Sequence, residues 1–213
     1  MPGVDHKGSY QRRKVRISED PEYTVRDPLQ RLLRLRAGAG VKRYHTFPTL
    51  GEQLVGQHSH AVALFVLSLH PSPSLNLIKA CLFHDLAEFD TGDCPAQVKW
   101  AFPNMSAMLE LAEISIDSKL GIAVELTDEE TKWLKLADTL EYCLYSLEQR
   151  RLGNMNMDIV FARGMSRLQS YELVLENEIV RSFVHKLEYA YSQTRAGVSP
   201  DSLAITCSGV LDA

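Results

Sequence analysis

The sequence predicts an all-α protein of about seven helices, built as a single domain with loose termini. Apolar residues recur at the three- and four-residue spacing of helices in successive segments, and no segment shows the strict alternation of a half-buried strand. With 213 residues, 45% of them hydrophobic, the chain can bury one sizeable core. We therefore expect a folded domain over residues 26–195, between a flexible arm (1–25) and a loose tail (196–213).

The first predicted helix begins at Pro28, with Asp27 as its N-cap. Gly38 and Gly40 are predicted to end it, because glycine commonly follows the last helical turn. Residues 39–53 contain a proline and further glycines and therefore predict a loop.

Three helices are predicted in the next part of the chain. The segment 54–69 is apolar almost all round, which predicts a helix central to the core. Ser74 can cap a third helix that runs to Leu82. After a loop, a fourth helix is predicted over 104–120, ending near Gly121.

Three further helices are predicted to complete the fold. Thr127 and Glu130 form a capping-box pattern that opens a long helix, which Gly153 ends. Helical periodicity continues over 156–168 and 170–193.

The overall composition limits the classes of function. The net charge of −4 and the pI near 6.0 argue against a large basic face that binds duplex nucleic acid. Both values are compatible with a local pocket of cationic side chains. No apolar run approaches the length of a membrane span, and the chain opens on polar, charged residues rather than a signal peptide. The cysteines are widely spaced, which favours reduced residues in a cytoplasmic protein: Cys81, Cys94, Cys143 and Cys207.

Charged residues are concentrated directly after the third predicted helix, in the segment 82–93. On a helix, His84 and Glu88 would share a face, and Asp85 would neighbour Glu88. Carboxylates at the end of a buried helix must be paired, protonated or bound to metal. A mixed nitrogen and oxygen site suits a divalent ion such as zinc, manganese, cobalt or iron.

Further ligands for such an ion must come from elsewhere in the chain. His58 lies in the first turn of the core helix, and Asp138 lies within the apolar stripe of the long helix, where an unpaired carboxylate is costly. Each residue alone also has an ordinary explanation, as a helix-end histidine or a salt-bridged aspartate. Together they predict one divalent ion per chain with two nitrogen and two oxygen ligands: His58, His84, Asp85 and Asp138.

This ordered set on an all-α chain resembles the HD-domain metal-dependent phosphohydrolases. The resemblance spans about 29–153 and is more specific for the bacterial 5′-deoxynucleotidase subgroup, with related phage enzymes that act on dATP. The residues that carry the finer resemblance are Arg43, His84-Asp85, Glu88, Thr91-Gly92-Asp93, Pro95, Val98-Lys99, Asp138-Thr139-Leu140 and Leu147-Glu148.

The resemblance implies roles for individual residues and a helical HD-domain fold. The four predicted ligands would hold the metal. Glu88 would position or deprotonate the attacking water or protonate the leaving alkoxide, and Asp93 would help to orient the water or the leaving oxygen. Arg43 would bind phosphate. The resemblance also implies a homodimer or a higher homo-oligomer.

Two positions depart from the subgroup and leave the substrate open. Tyr44 stands where the family has a tryptophan that packs against the sugar, and His45 follows it directly. His45 and Lys99 could each contact phosphate, but both also have ordinary surface explanations. The predicted reaction is hydrolysis of a deoxynucleoside 5′-monophosphate. The alternatives are release of triphosphate from a deoxynucleoside triphosphate and a non-catalytic nucleotide sensor.

Overall fold

Helices form most of the regular structure in residues 27–195, which are the residues that the computed structural model describes. The predicted arm (1–25) and tail (196–213) lie outside these described residues. In chain order the helices are α1 (Pro28–Ala39), α2 (Val55–Leu69), α3 (Leu75–Phe83), α4 (Glu88–Thr91), α5 (Ala96–Ala101), α6 (Pro103–Leu120), α7 (Asp128–Arg151), α8 (Asp158–Gln169), α9 (Glu172–Glu176) and α10 (Glu178–Arg195). A 3₁₀ turn, Met155–Met157, precedes α8.

The predicted all-α class is confirmed, and each predicted helix corresponds to one of the longer helices, α1, α2, α3, α6, α7, α8 and α10. The predicted caps are present. Asp27 accepts a hydrogen bond from the backbone N–H of Leu29 at 3.1 Å, and Ser74 accepts one from Leu77 at 3.0 Å. Thr127 and Glu130 form the complete capping box. Within residues 27–195, no helix combines the length and apolarity that crossing a membrane requires.

The predicted loop 39–53 contains a strand pair that the sequence analysis missed. β1 (Lys42–Arg43) pairs antiparallel with β2 (Gln53–Leu54) and places Arg43 opposite Gln53. Strands of two residues are too short to show alternation, which explains the omission.

The helix predicted over 170–193 is wrong as a single element, because it is divided at Asn177 into α9 and α10. The Asn177 side-chain oxygen accepts hydrogen bonds from the backbone N–H groups of Ile179 at 3.0 Å and Val180 at 3.2 Å. Asn177 is therefore an N-cap that starts a new helix within a continuous periodic pattern. The short helices α4 and α5 were also not predicted.

The core lies between α2, α7 and the C-terminal helices. Val62 and Val66 of α2 are fully buried against α7, whose Leu140 is also fully buried. The expectation that α2 is surrounded by core on all sides is only partly right, because Leu64 and Leu67 are each about half exposed.

Two glycines permit close approaches that position the residues described below. Gly38 lies within α1 rather than ending it, and a Cβ there would lie 2.6 Å from the carbonyl oxygen of Leu86. A Cβ at Gly164 of α8 would lie 2.2 Å from Cys143 Sγ on α7. Only glycine allows either contact, so α1 packs directly on the turn after His84-Asp85, and α8 packs directly on α7.

Candidate metal centre and active site

Three predicted ligands from three different helices meet at one point. His58 lies in the first turn of α2, His84 caps the C-terminus of α3, and Asp138 lies in the middle of α7. His58 Nε2 is 3.1 Å from His84 Nε2 and 3.2 Å from Asp138 Oδ1. One ligand atom from each residue lies within 4.8 Å of the others, so the three side chains can hold a single metal ion.

The orientation of the two imidazoles also fits a metal ion. His84 Nδ1 contacts the backbone carbonyl of Cys81 at 3.0 Å, and His58 Nδ1 contacts a carboxylate oxygen of Glu141. These contacts leave the Nε2 atom of each ring directed at the cluster, as in histidine metal ligands. Ligand atoms about 2.0–2.1 Å from one ion would be separated by roughly 3.0–3.4 Å, which matches the observed spacings.

Asp85 lies beside this cluster and also forms a salt bridge with a cationic side chain. Its Oδ2 atom is 3.5 Å from the Nε2 atoms of both His58 and His84, and the same oxygen forms a salt bridge with Arg43. Burial by itself would raise the pKa of Asp85, but the charges of His84 and Arg43 hold that pKa well below its usual value. The ionised carboxylate could serve as a further metal ligand.

Glu141 is a site residue that the sequence analysis missed. Its side chain is buried, contacts His58 Nδ1 through one oxygen and accepts a 2.6 Å hydrogen bond from Gln53 through the other. A signal was present in the sequence, because Glu141 is a second carboxylate within the apolar stripe of α7, three residues after Asp138. Glu141 orients His58 and connects it to β2.

The protonation of His58 depends on its two carboxylate partners. Burial and the charge of Arg43 lower the pKa of His58, but hydrogen bonds with Asp138 and Glu141 outweigh them and raise it to about 9. A metal ion needs a neutral imidazole nitrogen, so a metal ion that bound here would displace a proton.

The strand pair connects the metal cluster to the loop that carries Arg43. Arg43 pairs with Gln53 across the ribbon, Arg43 contacts Asp85, and Gln53 contacts Glu141. The rest of the loop is attached to the end of α7. Gln149 exchanges hydrogen bonds with the backbone of Leu50, at 2.7 and 2.8 Å. The position of Arg43 is therefore fixed relative to the histidines by buried polar contacts.

We expect Glu141→Gln to weaken metal binding by about 10- to 100-fold, because His58 loses the carboxylate that orients it and increases its basicity. A competition titration against a metal-binding dye measures this affinity. Glu148→Gln, an exposed position on the same helix, is the matched control. Equal affinities in the two variants would remove Glu141 from this role.

Glu88 lies close to the cluster at the start of α4. It is 4% exposed, and its Oε2 atom has no hydrogen-bond partner in residues 27–195. Burial raises the pKa of Glu88 to about 8, and the charges of Asp85 and Asp93 add to this effect. A carboxyl group with a pKa near neutrality can donate or accept a proton at physiological pH.

The local geometry around Glu88 differs from the predicted single helix. α3 ends at Phe83, and the backbone N–H of Glu88 donates to the carbonyl of Asp85 at 3.1 Å. This tighter turn retains the predicted proximity of positions 85 and 88, since residues three apart eclipse one another in 3₁₀ geometry. His84 and Glu88 do not belong to one continuous helix.

Asp93 contacts the loop that follows Arg43. Its Oδ2 atom accepts a 3.2 Å hydrogen bond from the backbone N–H of Tyr44 and lies 3.6 Å from His45 Nδ1. Tyr44 has a φ of 55°, a left-handed conformation that is uncommon for a non-glycine residue, and its ring stacks on Tyr145 at 5.2 Å. Asp93 thus stabilises the unusual backbone beside Arg43.

Some of the side chains described above line a cavity of about 270 Å³, whereas His58, His84 and Glu141 do not. Arg43, Tyr44, Asp85, Glu88, Asp93, Lys99 and Asp138 are in its lining. His45 is not part of that lining, and its side chain is about half exposed. Arg163 and Arg167 of α8 also line the cavity, although the sequence analysis did not single them out.

Comparisons with known proteins agree with this architecture. The family model described as an HD domain matches residues 40–119. A search of curated proteins found no match. Among solved structures, the PH0347 protein from Pyrococcus horikoshii OT3 superposes with a TM-score of 0.61 at 17% identity, covering 76% of this chain and 99% of that one.

A second similar structure is the HD phosphohydrolase DatZ of cyanophage S-2L, bound to dA and one catalytic Zn²⁺ ion. It superposes with a TM-score of 0.58 at 19% identity, covering 80% of this chain and 99% of that one. Identities this low establish a shared fold. The matched family segment includes His58 and the His84-Asp85 pair, and Asp138 follows it on α7. Residues 40–119 of this chain thus match an HD domain, and the helical fold that contains them is shared with both solved structures.

Proposed function

We propose that this protein is a metal-dependent phosphohydrolase that acts on 5′-nucleotides. The convergence of His58, His84 and Asp138 carries this proposal, because Asp138 also lines the cavity to which the buried Glu88 contributes. A divalent ion, when bound there, lowers the pKa of water and neutralises charge on phosphoryl oxygens. Zinc, manganese, cobalt and iron all fit the nitrogen and oxygen donors.

The chain's own residues supply binding and proton transfer. Glu88 holds or moves a proton at its carboxyl group, either from the attacking water or to the leaving oxygen. Arg43 binds a phosphoryl oxygen, for which the planar guanidinium is well suited. Asp93 keeps the Arg43–Tyr44 segment in position through its bond to the backbone of Tyr44.

The favoured substrate is a deoxynucleoside 5′-monophosphate, which would yield deoxynucleoside and phosphate. The resemblance to the 5′-deoxynucleotidases supports this choice, and the similar DatZ structure is bound to dA and one catalytic Zn²⁺ ion. The second candidate is release of triphosphate from a deoxynucleoside triphosphate. A specific observation favours it, because Lys99, Arg163 and Arg167 add cations to the cavity beyond Arg43.

A panel of deoxy- and ribonucleoside mono-, di- and triphosphates, assayed with several divalent metals, tests the proposal. Phosphate released from monophosphates supports the nucleotidase, whereas tripolyphosphate released from triphosphates supports the second candidate. A metal-loaded protein that binds nucleotides and hydrolyses none of them would instead be a sensor. The buried Glu88 argues for turnover, because its Oε2 atom has no hydrogen-bond partner among residues 27–195 and a binding protein gains nothing from such a costly group.

We expect Arg43→Ala to lower kcat/KM by about 10- to 100-fold, because one charged hydrogen-bonding partner of the phosphate is lost. The change appears mainly as a higher KM, or as a lower kcat if the contact strengthens in the transition state. Steady-state kinetics measures both constants, and metal analysis detects any disturbance of Asp85. Lys42→Ala, the exposed neighbour on β1, is the control. Wild-type kinetics in Arg43→Ala would exclude Arg43 from substrate binding.

A further inference from the structure

We propose that the outward face of α6 packs against the same face of a second copy of this chain, related to the first by a two-fold axis. The resemblance to the HD-domain phosphohydrolases implies a homo-oligomer but indicates no surface for it. None of the residues that carry this inference lines the cavity. The inference is therefore independent of the proposed function.

The first support is the inverted polarity of α6. Residues three apart on a helix share a face, and Met108, Leu111 and Ile114 are 47%, 47% and 57% exposed. Glu113 and Asp117 lie on the side towards the protein and are less exposed. Burial raises the pKa of both carboxyl groups, that of Asp117 to about 6. A surface helix ordinarily has the opposite arrangement, with apolar residues against the core and charges in water.

The second support is that the described part of the chain leaves this face of α6 open. α6 packs mainly against α4 and α5. Its Ile116 and Leu120 contact a small apolar cluster that contains Leu86. Within residues 27–195, the contacts of α6 are thus made mainly by the side opposite to Leu111, which is about half exposed.

The third support is the absence of charge from the outward face, which favours a second copy over the basic arm at residues 1–25. The outward positions from 104 to 118 carry only apolar or uncharged side chains: Asn104, Ala107, Met108, Leu111, Ile114, Ser115 and Ser118. Two such faces can meet about a two-fold axis without placing like charges in contact. The arm would instead bring cations to a face that has no carboxylate: Lys7, Arg12, Arg13, Lys14 and Arg16.

The fourth support is the area that a second copy would cover. Five large apolar side chains of this region are 40–61% exposed: Phe102, Met105, Met108, Leu111 and Ile114. If each has about 200 Å² of surface when free, together they expose roughly 500 Å². A stable interface covers about 800 Å² on each partner, of which somewhat more than half is apolar. The α6 region supplies that apolar share.

Sedimentation equilibrium of the full-length protein over a series of concentrations tests the proposal. We expect the wild type to be a dimer and Leu111→Asp to be a monomer, with the dimer Kd raised by about 100-fold or more, because like charges would meet at the centre of the interface. Leu111→Lys should likewise be a monomer. An equal mixture of the two variants should form dimers again, since opposite charges then face one another across the axis.

Leu75→Asp is the matched control, because Leu75 is 68% exposed at the start of α3 and lies outside the α6 face. Circular dichroism verifies folding, and Ile114→Asp serves as the second variant should substitution of Leu111 disturb it. A monomeric wild type would overturn the proposal and leave the arm or the tail as the occupant of this face. A dimer that persists in Leu111→Asp, that is lost in the control, or that the mixture fails to restore would also overturn it.

Discussion

Substitution of Glu88 by glutamine is expected to leave the metal content at the wild-type level and to lower kcat by about 10²- to 10⁴-fold, the usual contribution of a general acid or base. Glutamine has nearly the same shape as glutamate, so the packing of this buried position is retained. It cannot exchange a proton in the physiological range. Elemental analysis and single-turnover kinetics separate these two outcomes.

The pH dependence of kcat tells which way Glu88 moves its proton. Burial raises the pKa of Glu88 to about 8, and a bound divalent cation would lower that pKa towards neutrality by favouring the carboxylate. If Glu88 accepts the proton of water, activity rises as the pH increases through this pKa. If Glu88 donates to the leaving oxygen, activity falls over the same range. This change of kcat with pH should be absent from Glu88→Gln.

Asp90→Asn provides the matched control for Glu88. Asp90 lies on the same short helix, but its carboxylate pairs with Arg34 at 2.9 Å. Wild-type kcat and an intact pH profile in Asp90→Asn, with both changed in Glu88→Gln, would locate proton transfer at position 88. Full activity in Glu88→Gln would exclude that role.

Substitution of Asp138 by alanine is expected to abolish metal retention, with a loss of affinity on the order of 100-fold or more. Removal of a hydrogen-bonding partner of a ligand typically costs 10- to 100-fold, and loss of a ligand itself should exceed that range. The carboxylate is one of three donors in the cluster, and its oxygen lies 3.2 Å from His58 Nε2.

Two independent measurements test the effect of Asp138→Ala. Elemental analysis after dialysis reports the metal content. Thermal unfolding reports binding in a different way, because a metal that binds only the folded state adds about 2.7 kcal/mol of stability at 100 times its Kd. The metal-dependent rise in Tm should disappear in Asp138→Ala and persist in the exposed control Glu129→Ala. A normal metal content would remove Asp138 from the ligand set.

The longer helices could be predicted because their signals are local. Asp27, Ser74 and Thr127 cap their helices in the structure as their sequence contexts predict. The short elements carry no comparable signal. A two-residue strand has no visible alternation, and Asn177 interrupts a periodic pattern with a cap that could equally belong to a helix interior.

The candidate site, too, could be predicted from the sequence only in part. His58, His84 and Asp138 could be selected because imidazoles and carboxylates are unusual in apolar helical patterns. Glu141 had a comparable signal, but its role depends on a contact with His58 that only the packing of α2 against α7 reveals. Arg163 and Arg167 had no signal at all, because exposed arginines are ordinary on an amphipathic helix, and only the packing of α8 shows that these two line the cavity.

The sequence by itself determined the helices with strong caps, the all-α class and the donor types available for a metal. The tertiary structure decided which donors meet, since His58 and His84 are separated by 26 positions in the chain yet lie 3.1 Å apart. In the tertiary structure Asp85 also forms a salt bridge with Arg43, and the close contact at Gly164 places α8 beside the cavity. The physical reason is that helix formation follows local hydrogen bonding and capping, whereas helix packing follows the shapes of side chains that are distant in sequence.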